Sequence, residues 1–300
     1  MRRERSPRAV RDAEEEGVAA AEGQGTSEGG RGPAMPPRAK KSLGQNFLKD
    51  RNIAARIAAQ LHIGPDDWVI EIGPGPGALT RHIHAAGPAR LFLLEKDHHW
   101  AREHHLHPLA GTPEAQVVLT DALLFPWERL DAAHPWKVIG NLPYNVASPL
   151  MWDICSRAPG LVRASFMIQK EVGERIVAAP GSRQYGALSV WLQCFTKPEW
   201  CFVVPPHVFT PRPKVDSAVL AFTPRTDRPD AVQSKRLAHV LRLCFQQRRK
   251  QLQGILRPHV GGDASALLAE LGIDPAARPE TLSPERFIAL GEAVAMSAIA

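Results

Sequence analysis

This sequence of 300 residues lacks any apolar run that approaches the ~18 residues of a membrane-spanning helix, so a membrane span is excluded. Cysteine is scarce, and the four cysteines, Cys155, Cys194, Cys201 and Cys244, have no metal-ligand spacing. We interpret them as buried or partly buried thiols in a reducing cytoplasm. The zinc-protease pattern H-E-x-x-H, the phosphate-binding P-loop and the C-x-x-C pair are also missing. A metal site or phosphoryl transfer therefore has no support in the sequence.

Acidic residues are outnumbered by basic ones. Lysine plus arginine number 37 and aspartate plus glutamate 31, which gives a net charge of +6 and a sequence pI near 9.3. An excess of positive charge suits a polyanionic partner such as a nucleic acid. Mildly basic soluble proteins are common, however, so the charge favours this class of partner without selecting it.

Apolar periodicity is missing from residues 1–40, which are rich in glycine, alanine, glutamate and arginine. This composition predicts a disordered extension that takes no part in the chemistry. A signal peptide would need an apolar stretch, and the acidic run Glu14-Glu15-Glu16 argues against a transit peptide. Met35 lies just before the region predicted to fold and is a second candidate for the start of the chain.

The most informative segment is the turn Gly140-Asn141-Leu142-Pro143-Tyr144, which follows the apolar run 136–139. An exocyclic amine on a planar base is a poor nucleophile, because its lone pair is delocalised into the ring. Oxygens of the Asn141 side chain and the Leu142 main chain could accept its two N–H bonds and favour the reactive, pyramidal geometry. Pro143 would fix the turn and Tyr144 would stack on the base. The alternative is a strand-ending turn with a core tyrosine.

A glycine-rich turn follows another apolar strand, in Val69-Ile70-Glu71-Ile72-Gly73-Pro74-Gly75-Pro76-Gly77, and an amphipathic helix comes next. Such glycines let the backbone approach a ligand closely. Glu95 ends the next strand, 95 − 73 = 22 residues after Gly73, where a carboxylate can bind both hydroxyls of a ribose. A nicotinamide or flavin dinucleotide would need the same features, although the spacing G-x-G-x-G weakens that alternative.

A third strand, residues 116–120, ends in Asp121, which could bind an adenine amino group; the alternative is a helix cap or a turn residue. Ligands of open parallel sheets bind at the carboxyl ends of the strands, so three strand ends would hold an adenosyl group and a fourth would present the acceptor amine. These features together indicate S-adenosylmethionine as the cofactor. Its methyl group is already activated, so the protein would mainly need to position the reactants.

The chain resembles the ribosomal small-subunit RNA adenine N6,N6-dimethyltransferase family over roughly residues 41–295. The resemblance rests on several motifs that occur in the family's order. They are Ser42-Leu43-Gly44-Gln45-Asn46-Phe47-Leu48, Glu71-Ile72-Gly73-Pro74-Gly75, Gly140-Asn141-Leu142-Pro143-Tyr144-Asn145, Gln169-Lys170-Glu171-Val172, Tyr185-Gly186, Leu188-Ser189-Val190, residues 204–217 and Phe245-Gln246-Gln247-Arg248-Arg249-Lys250.

The resemblance implies an α/β fold, a Rossmann-like class I methyltransferase sheet with a small C-terminal helical domain. It also implies which residues bind the cofactor: Asn46, Leu48, Gly73, Glu95, Asp121 and Asn141. Asn141, Leu142, Tyr144 and Phe209 are implied as the residues that align and hold the acceptor base. The segment after Glu95, Lys96-Asp97-His98-His99-Trp100, departs from the family's usual pattern, which leaves open the residue that packs on the cofactor's adenine.

The methyltransferase domain is predicted to span residues 41–226, and residues 200–204 and 217–222 are predicted as its last two, antiparallel strands. The loop between them is basic and stiffened by proline, and its Arg212 and Lys214 would flank the target base. A rigid loop without a ligand is the alternative. Residues 230–296 show helical periodicity, and we predict an RNA-binding helical domain over residues 227–300. Its cluster Arg248-Arg249-Lys250 would contact the RNA backbone; the alternative is a solvated helix face.

Five histidines lie close together at positions 98, 99, 104, 105 and 107. A metal site is one hypothesis, but adjacent residues such as His104 and His105 point in different directions on a helix. We therefore favour a solvated helix face, and we predict no metal.

The residue patterns predict an S-adenosylmethionine-dependent enzyme that methylates an exocyclic amine. The resemblance implies a cytoplasmic, monomeric enzyme that dimethylates N6 of two adjacent adenosines of 16S rRNA. By the resemblance, the target lies in the 3′-terminal hairpin loop of the small ribosomal subunit, and the reaction has a role in subunit biogenesis. Two rival hypotheses remain. One is an antibiotic-resistance methyltransferase that acts on large-subunit RNA with the same core, and the other is a non-catalytic assembly or transcription factor that keeps the fold.

Overall fold

The computed structural model describes residues 44–107 and 115–297. The predicted disorder of residues 1–40 lies outside these ranges. Within them the chain forms nine strands, β1 to β9, at Phe47–Leu48, Trp68–Ile72, Arg90–Glu95, Ala115–Leu119, Trp136–Asn141, Leu161–Gln169, Thr196–Val204, Phe209–Thr210 and Ser217–Pro224. The same ranges contain ten α-helices, α1 to α10, at Arg51–Ala59, Thr80–Ala85, His98–Leu106, Ala147–Arg157, Lys170–Ile176, Ala187–Phe195, Ala231–Gln246, Leu252–Leu256, Ala264–Glu270 and Pro284–Ser297.

Seven strands form one sheet in the order β4-β3-β2-β5-β6-β9-β7. The first five strands run parallel, whereas β9 pairs antiparallel with both β6 and β7. The predicted α/β architecture and its last antiparallel pair are therefore confirmed. The chain winds outward from β2 to β4 and then returns to β5 beside β2, so the strand order reverses between β2 and β5. Ligands of open α/β sheets bind at the carboxyl ends of the strands at such a reversal.

Alternating side chains bury the two faces of this sheet in two apolar clusters. On β2 and β5, Ile70 and Val138 belong to the larger cluster, whereas Val69 and Ile139 belong to the smaller one. Successive side chains of a strand point to opposite faces, so the two clusters lie on opposite sides of the sheet. Helices α4, α6, α7 and α10 contribute to the larger cluster, and α1 and α2 to the smaller one. The central strands are thereby held rigidly, and their carboxyl ends meet at one edge.

Several predicted strands differ at their ends from the observed ones. Strand β7 begins at Thr196 rather than at residue 200, β9 continues to Pro224 rather than ending at residue 222, and β4 spans Ala115–Leu119 rather than residues 116–120. In the C-terminal region α10 packs against both α7 and α6. The larger apolar cluster runs without interruption from the sheet into these helices. The domain boundary at residues 226 and 227 therefore stays a prediction. No helix of the described residues has the length and apolar character needed to cross a membrane.

Candidate active site

A cavity of about 150 Å³ lies at the carboxyl ends of β2, β3, β4 and β5. Its walls come from segments that are far apart in the sequence. Seven of the residues predicted from the sequence line it: Asn46, Gly73, Glu95, Asp121, Asn141, Leu142 and Tyr144. The fold thus brings the glycine-rich turn, two strand-end acids and the Asn-Leu-Pro-Tyr turn into one site.

One wall comes from residues 44–47, and we call the segment 44–48, which contains them, the arm. The Asn141 side chain donates a hydrogen bond of 2.8 Å from Nδ2 to the main-chain oxygen of Asn46. This bond identifies the end of the amide that carries the N–H groups. The other end is therefore Oδ1, which accepts hydrogen bonds. On the arm, Phe47 packs edge-on against Trp100, with ring centroids 5.5 Å apart. The arm therefore both lines the cavity and orients the Asn141 amide.

The glycine-rich turn approaches the arm closely at Gly75. Gly73 and Gly75 have φ of 62° and 50°, in the left-handed region that favours glycine. A Cβ at Gly75 would lie 3.1 Å from the Phe47 ring. The Gly75 amide donates a 3.1 Å hydrogen bond to Oε2 of Glu95. This turn is thus tied by its main chain to the predicted ribose-binding carboxylate.

The carboxylate of Glu95 is buried, with 5% of the residue exposed. Its Oε1 accepts a 2.8 Å hydrogen bond from the Asp97 amide, and its Oε2 accepts the bond from Gly75. Burial raises the pKa of Glu95, and these two amides oppose the rise. Each carboxylate oxygen can accept more than one bond, so both retain capacity for a ligand hydroxyl.

Asp121 is both a turn residue and a cavity residue. Its Oδ1 accepts a 3.0 Å bond from the Leu123 amide, as expected of a side chain that holds a turn. Its Oδ2 forms a 2.7 Å ion pair with Lys96, which also lines the cavity. Burial tends to raise the pKa of Asp121, but Lys96 and the Leu123 amide outweigh it and lower the pKa overall. The carboxyl group is therefore ionised at neutral pH.

The turn after β5 is held at both ends. The Leu142 amide donates a 3.1 Å hydrogen bond to the Met167 oxygen, and the Leu142 side chain is buried. The Tyr144 hydroxyl lies 2.9 Å from Oγ of Ser217 on β9. Burial raises the pKa of Tyr144, so the phenol stays neutral. Tyr144 is half-buried and lines the cavity, so its ring is available to a flat ligand.

Two of the predicted cofactor- and base-binding residues do not line the cavity. Leu48 and Phe209 lie opposite each other in the two-stranded sheet that the arm strand β1 makes with β8. Both side chains pack in the smaller apolar cluster, and Phe209 is only 2% exposed. This short sheet attaches the arm to the segment that was predicted to flank the base.

Glu71, Lys96 and His104 also belong to this region, and the sequence analysis assigned no contacts to them. Glu71 on β2 is fully buried, and burial raises its pKa to about 8, with a further rise from the charge of Glu95. A single acid within the apolar run of β2 was the signal for this residue. His104 hydrogen-bonds to the glycine-rich turn, so the predicted solvated face of its helix is wrong for this histidine. Among residues 44–107 and 115–297, no group of acidic, histidine and cysteine side chains could hold a metal.

The predicted RNA-binding cations differ in their surroundings. Arg212 and Lys214 are exposed in the loop between β8 and β9, and Arg249 and Lys250 are exposed after α7. Arg248 instead donates a 2.8 Å hydrogen bond to the oxygen of Arg183, and its Nε lies 3.7 Å from the Glu280 carboxylate. Arg248 therefore has structural contacts that its two neighbours do not share.

Comparison with known proteins identifies the family of this chain. The family model described as ribosomal RNA adenine dimethylase matches residues 37–295. A relative from Nitratidesulfovibrio vulgaris, named ribosomal RNA small subunit methyltransferase A, is 98% identical over 266 residues, which cover 89% of this chain and 100% of that protein.

Two solved structures share the fold. A dimethyladenosine transferase from Plasmodium falciparum superposes with a TM-score of 0.68 at 24% identity and covers 81% of this chain and 95% of its own. The 23S rRNA methyltransferase ErmE superposes with a TM-score of 0.61 at 28% identity and covers 83% of this chain and 100% of its own. The predicted class I methyltransferase fold is therefore confirmed, and this chain belongs to the ribosomal RNA adenine dimethylase family.

Proposed function

We propose that this enzyme uses S-adenosylmethionine to dimethylate N6 of two adjacent adenosines in the 3′-terminal hairpin loop of small-subunit ribosomal RNA. The observation that carries the proposal is the Asn141 amide, whose acceptor oxygen is fixed at the edge of a cavity that also contains Glu95 and Asp121. The name of the 98% identical relative supports a small-subunit substrate. We expect the protein to act as a monomer in the cytoplasm, with a role in small-subunit biogenesis.

The cavity residues fit an adenosyl cofactor. The buried Glu95 carboxylate suits the two ribose hydroxyls, and Asp121 suits the adenine amino group. Gly73 would let the methionine part approach the main chain, since no heavy atom lies within 4 Å of where its Cβ would be. Asn46 would contribute from the arm, whereas Leu48 would contact the cofactor only through its main chain, because its side chain is buried elsewhere. The cofactor supplies a methyl group that is activated by its sulfonium.

The acceptor adenine must leave its stack in the RNA to enter the site. Tyr144 would stack on the base while Asn141 Oδ1 and the Leu142 oxygen accept the two N–H bonds of N6. This arrangement favours the pyramidal amine and directs its lone pair into the cavity. No strong base is required of the protein, because N6 becomes acidic once it is alkylated and can lose its proton to water. For Phe209 to contact the base, the segment around β8 would have to shift, since its ring is buried.

The basic residues outside the cavity would bind the RNA backbone. We assign this role to Arg212 and Lys214 near the target base, and to the cluster Arg248-Arg249-Lys250 at the C-terminal helices. Because Arg248 also contacts Arg183 and Glu280, its replacement would disturb the protein as well as the RNA contact. The exposed pair Arg249 and Lys250 is the better test of RNA binding.

Replacing Arg249 and Lys250 together with alanine is expected to weaken binding to unmodified small subunits. The salt dependence should flatten by a slope of about 0.7–0.9 for each lost phosphate contact, because fewer counterions are released. Binding measured at several salt concentrations gives this slope. The affinity for S-adenosylmethionine should stay at the parental value. A parental salt slope would show that the pair is only a solvated face.

The direct test is methyl transfer onto small ribosomal subunits that lack the modification, followed by mapping of the modified nucleotides. We expect two methyl groups on N6 of each of two adjacent adenosines in the 3′-terminal hairpin loop. The likeness to ErmE keeps large-subunit RNA as a second candidate substrate, so large subunits should be assayed in parallel. Modification of large-subunit RNA alone would overturn the proposed substrate. A protein that fails to bind S-adenosylmethionine would instead support the non-catalytic hypothesis.

A further inference from the structure

One face of α3, from its N-cap to its last turn, contacts the arm and the glycine-rich turn beside the cavity. Residues 97, 100 and 104 are spaced three and four apart, so they lie on the same side of the helix. Asp97 caps the helix and accepts a 3.2 Å hydrogen bond from Gln45 of the arm. Trp100 packs on Phe47 of the arm. His104, in the last turn, contacts the glycine-rich turn.

The contact from His104 completes the fixation of Gly75. Nε2 of His104 lies 2.8 Å from the main-chain oxygen of Gly75. Because a carbonyl oxygen can only accept, Nε2 carries the hydrogen and the imidazole donates it. The amide of the same residue donates to Glu95. Both polar groups of Gly75 are therefore held by side chains, one from β3 and one from α3.

The His104 ring also fills the space beside the turn. A Cβ built on Gly77 would lie 3.2 Å from Cε1 of His104. Burial lowers the pKa of His104, and the Gly75 oxygen and Glu103 oppose this change, so the ring is largely neutral at neutral pH. A neutral ring with its hydrogen on Nε2 satisfies the Gly75 oxygen without placing a formal charge next to the cavity.

We propose that His104 is a positioning residue for the cofactor: it holds the Gly75 carbonyl so that the glycine-rich turn is already in the geometry that binds S-adenosylmethionine. This inference rests on the proposed function of the cavity. Without the imidazole, the Gly75 oxygen loses its donor, and the turn gains conformations that the cofactor must then restrict on binding. The cost falls on cofactor affinity, because His104 itself is not among the residues that line the cavity.

The test compares His104→Leu, His104→Gln and His104→Asn with the parental protein. Leucine removes the donor, glutamine can place its amide nitrogen where Nε2 lies, and asparagine is too short to reach. His105→Leu is the matched control, since it makes the same substitution at the next, exposed position of α3. Calorimetric titration with S-adenosylhomocysteine measures affinity without any reaction, and methyl transfer to unmodified small subunits separates KM from kcat.

We expect His104→Leu and His104→Asn to bind S-adenosylhomocysteine roughly 3- to 10-fold more weakly, as for loss of one hydrogen bond. Glutamine should restore most of the affinity, and His105→Leu should match the parental protein. The KM for S-adenosylmethionine should rise while kcat at saturating cofactor stays near the parental value. Should the leucine variant fail to fold, the asparagine and glutamine pair carries the comparison.

Parental affinity in the asparagine and leucine variants would overturn the role of His104. So would an equal loss in the glutamine and asparagine variants, because that outcome would reflect packing of the ring rather than donation to Gly75. Failure of the parental protein itself to bind S-adenosylhomocysteine would be a different result, since it would refute the proposed cofactor.

Discussion

Replacing Asn141 with alanine is expected to slow methyl transfer by about 10²–10³-fold at saturating cofactor and saturating RNA. The substitution removes the oxygen that aligns N6, while Tyr144 remains to stack the base. An interaction made mainly in the transition state affects turnover more than substrate affinity. Loss of one positioned hydrogen-bonding group typically has an effect of this size. The affinity for unmodified small subunits should therefore change little.

The assay for Asn141→Ala is single-turnover transfer to unmodified small subunits. Saturating S-adenosylmethionine is essential, because the variant also removes the hydrogen bond to the Asn46 oxygen and so loosens the arm. Asn52→Ala, an exposed position on α1, is a matched control that should react at the parental rate. A variant of Asn141 that transfers both methyl groups at the parental rate would show that Asn141 is only a turn residue. The alignment mechanism would then have to be abandoned.

The second large effect is expected for Glu95→Gln, which should weaken S-adenosylmethionine binding by about 10- to 100-fold. Hydrogen bonds to a charged group contribute roughly 1.5–3 kcal/mol, and the amide removes that charge from the ribose contact. Glutamine also keeps only one acceptor oxygen, whereas Glu95 accepts from both Gly75 and Asp97. The turn and the N-terminus of α3 therefore lose part of their support together with the ligand contact.

Calorimetric titration with S-adenosylmethionine measures the effect of Glu95→Gln, and thermal unfolding monitors the fold. Asp66→Asn removes the same charge from an exposed position that precedes β2, at the amino-terminal ends of the parallel strands and away from the cavity. It should leave the affinity unchanged. Unchanged affinity in Glu95→Gln would refute the assignment of Glu95 to the ribose.

The sequence predicts the central strands and the strand-end residues well, because these depend on local patterns. The run 136–139 and the turn after it appear as β5 and as part of the cavity wall. Strand β7 was predicted too short because it is an edge strand. Its first residues include Lys197, Pro198 and Glu199, and a partly exposed edge tolerates proline and charge that a central strand would exclude.

The features that could not be predicted from the sequence are contacts between segments that are distant in the chain. The bond from Asn141 to Asn46 joins residues 95 positions apart, and no local pattern encodes it. The burial of Phe209 follows from the pairing of β8 with the arm, which likewise has no local signal. His104 belongs to a helix face made of an acid, an aromatic residue and a histidine, which does not form the apolar stripe that marks a buried helix face.

The hydrogen bond between the arm and Asn141 has a consequence for the order of events over several turnovers. Two methyl groups on each of two adenosines require four transfers, and every transfer consumes one cofactor. The arm is joined to Asn141 by this bond and to β8 by strand pairing, so a displaced arm would lose the first contact and strain the second. We therefore expect the acceptor adenine to be aligned best while the arm keeps its contact with Asn141. If the cofactor is exchanged past a displaced arm, each exchange would interrupt the alignment of N6, and we then expect a distributive rather than a processive sequence of methylations.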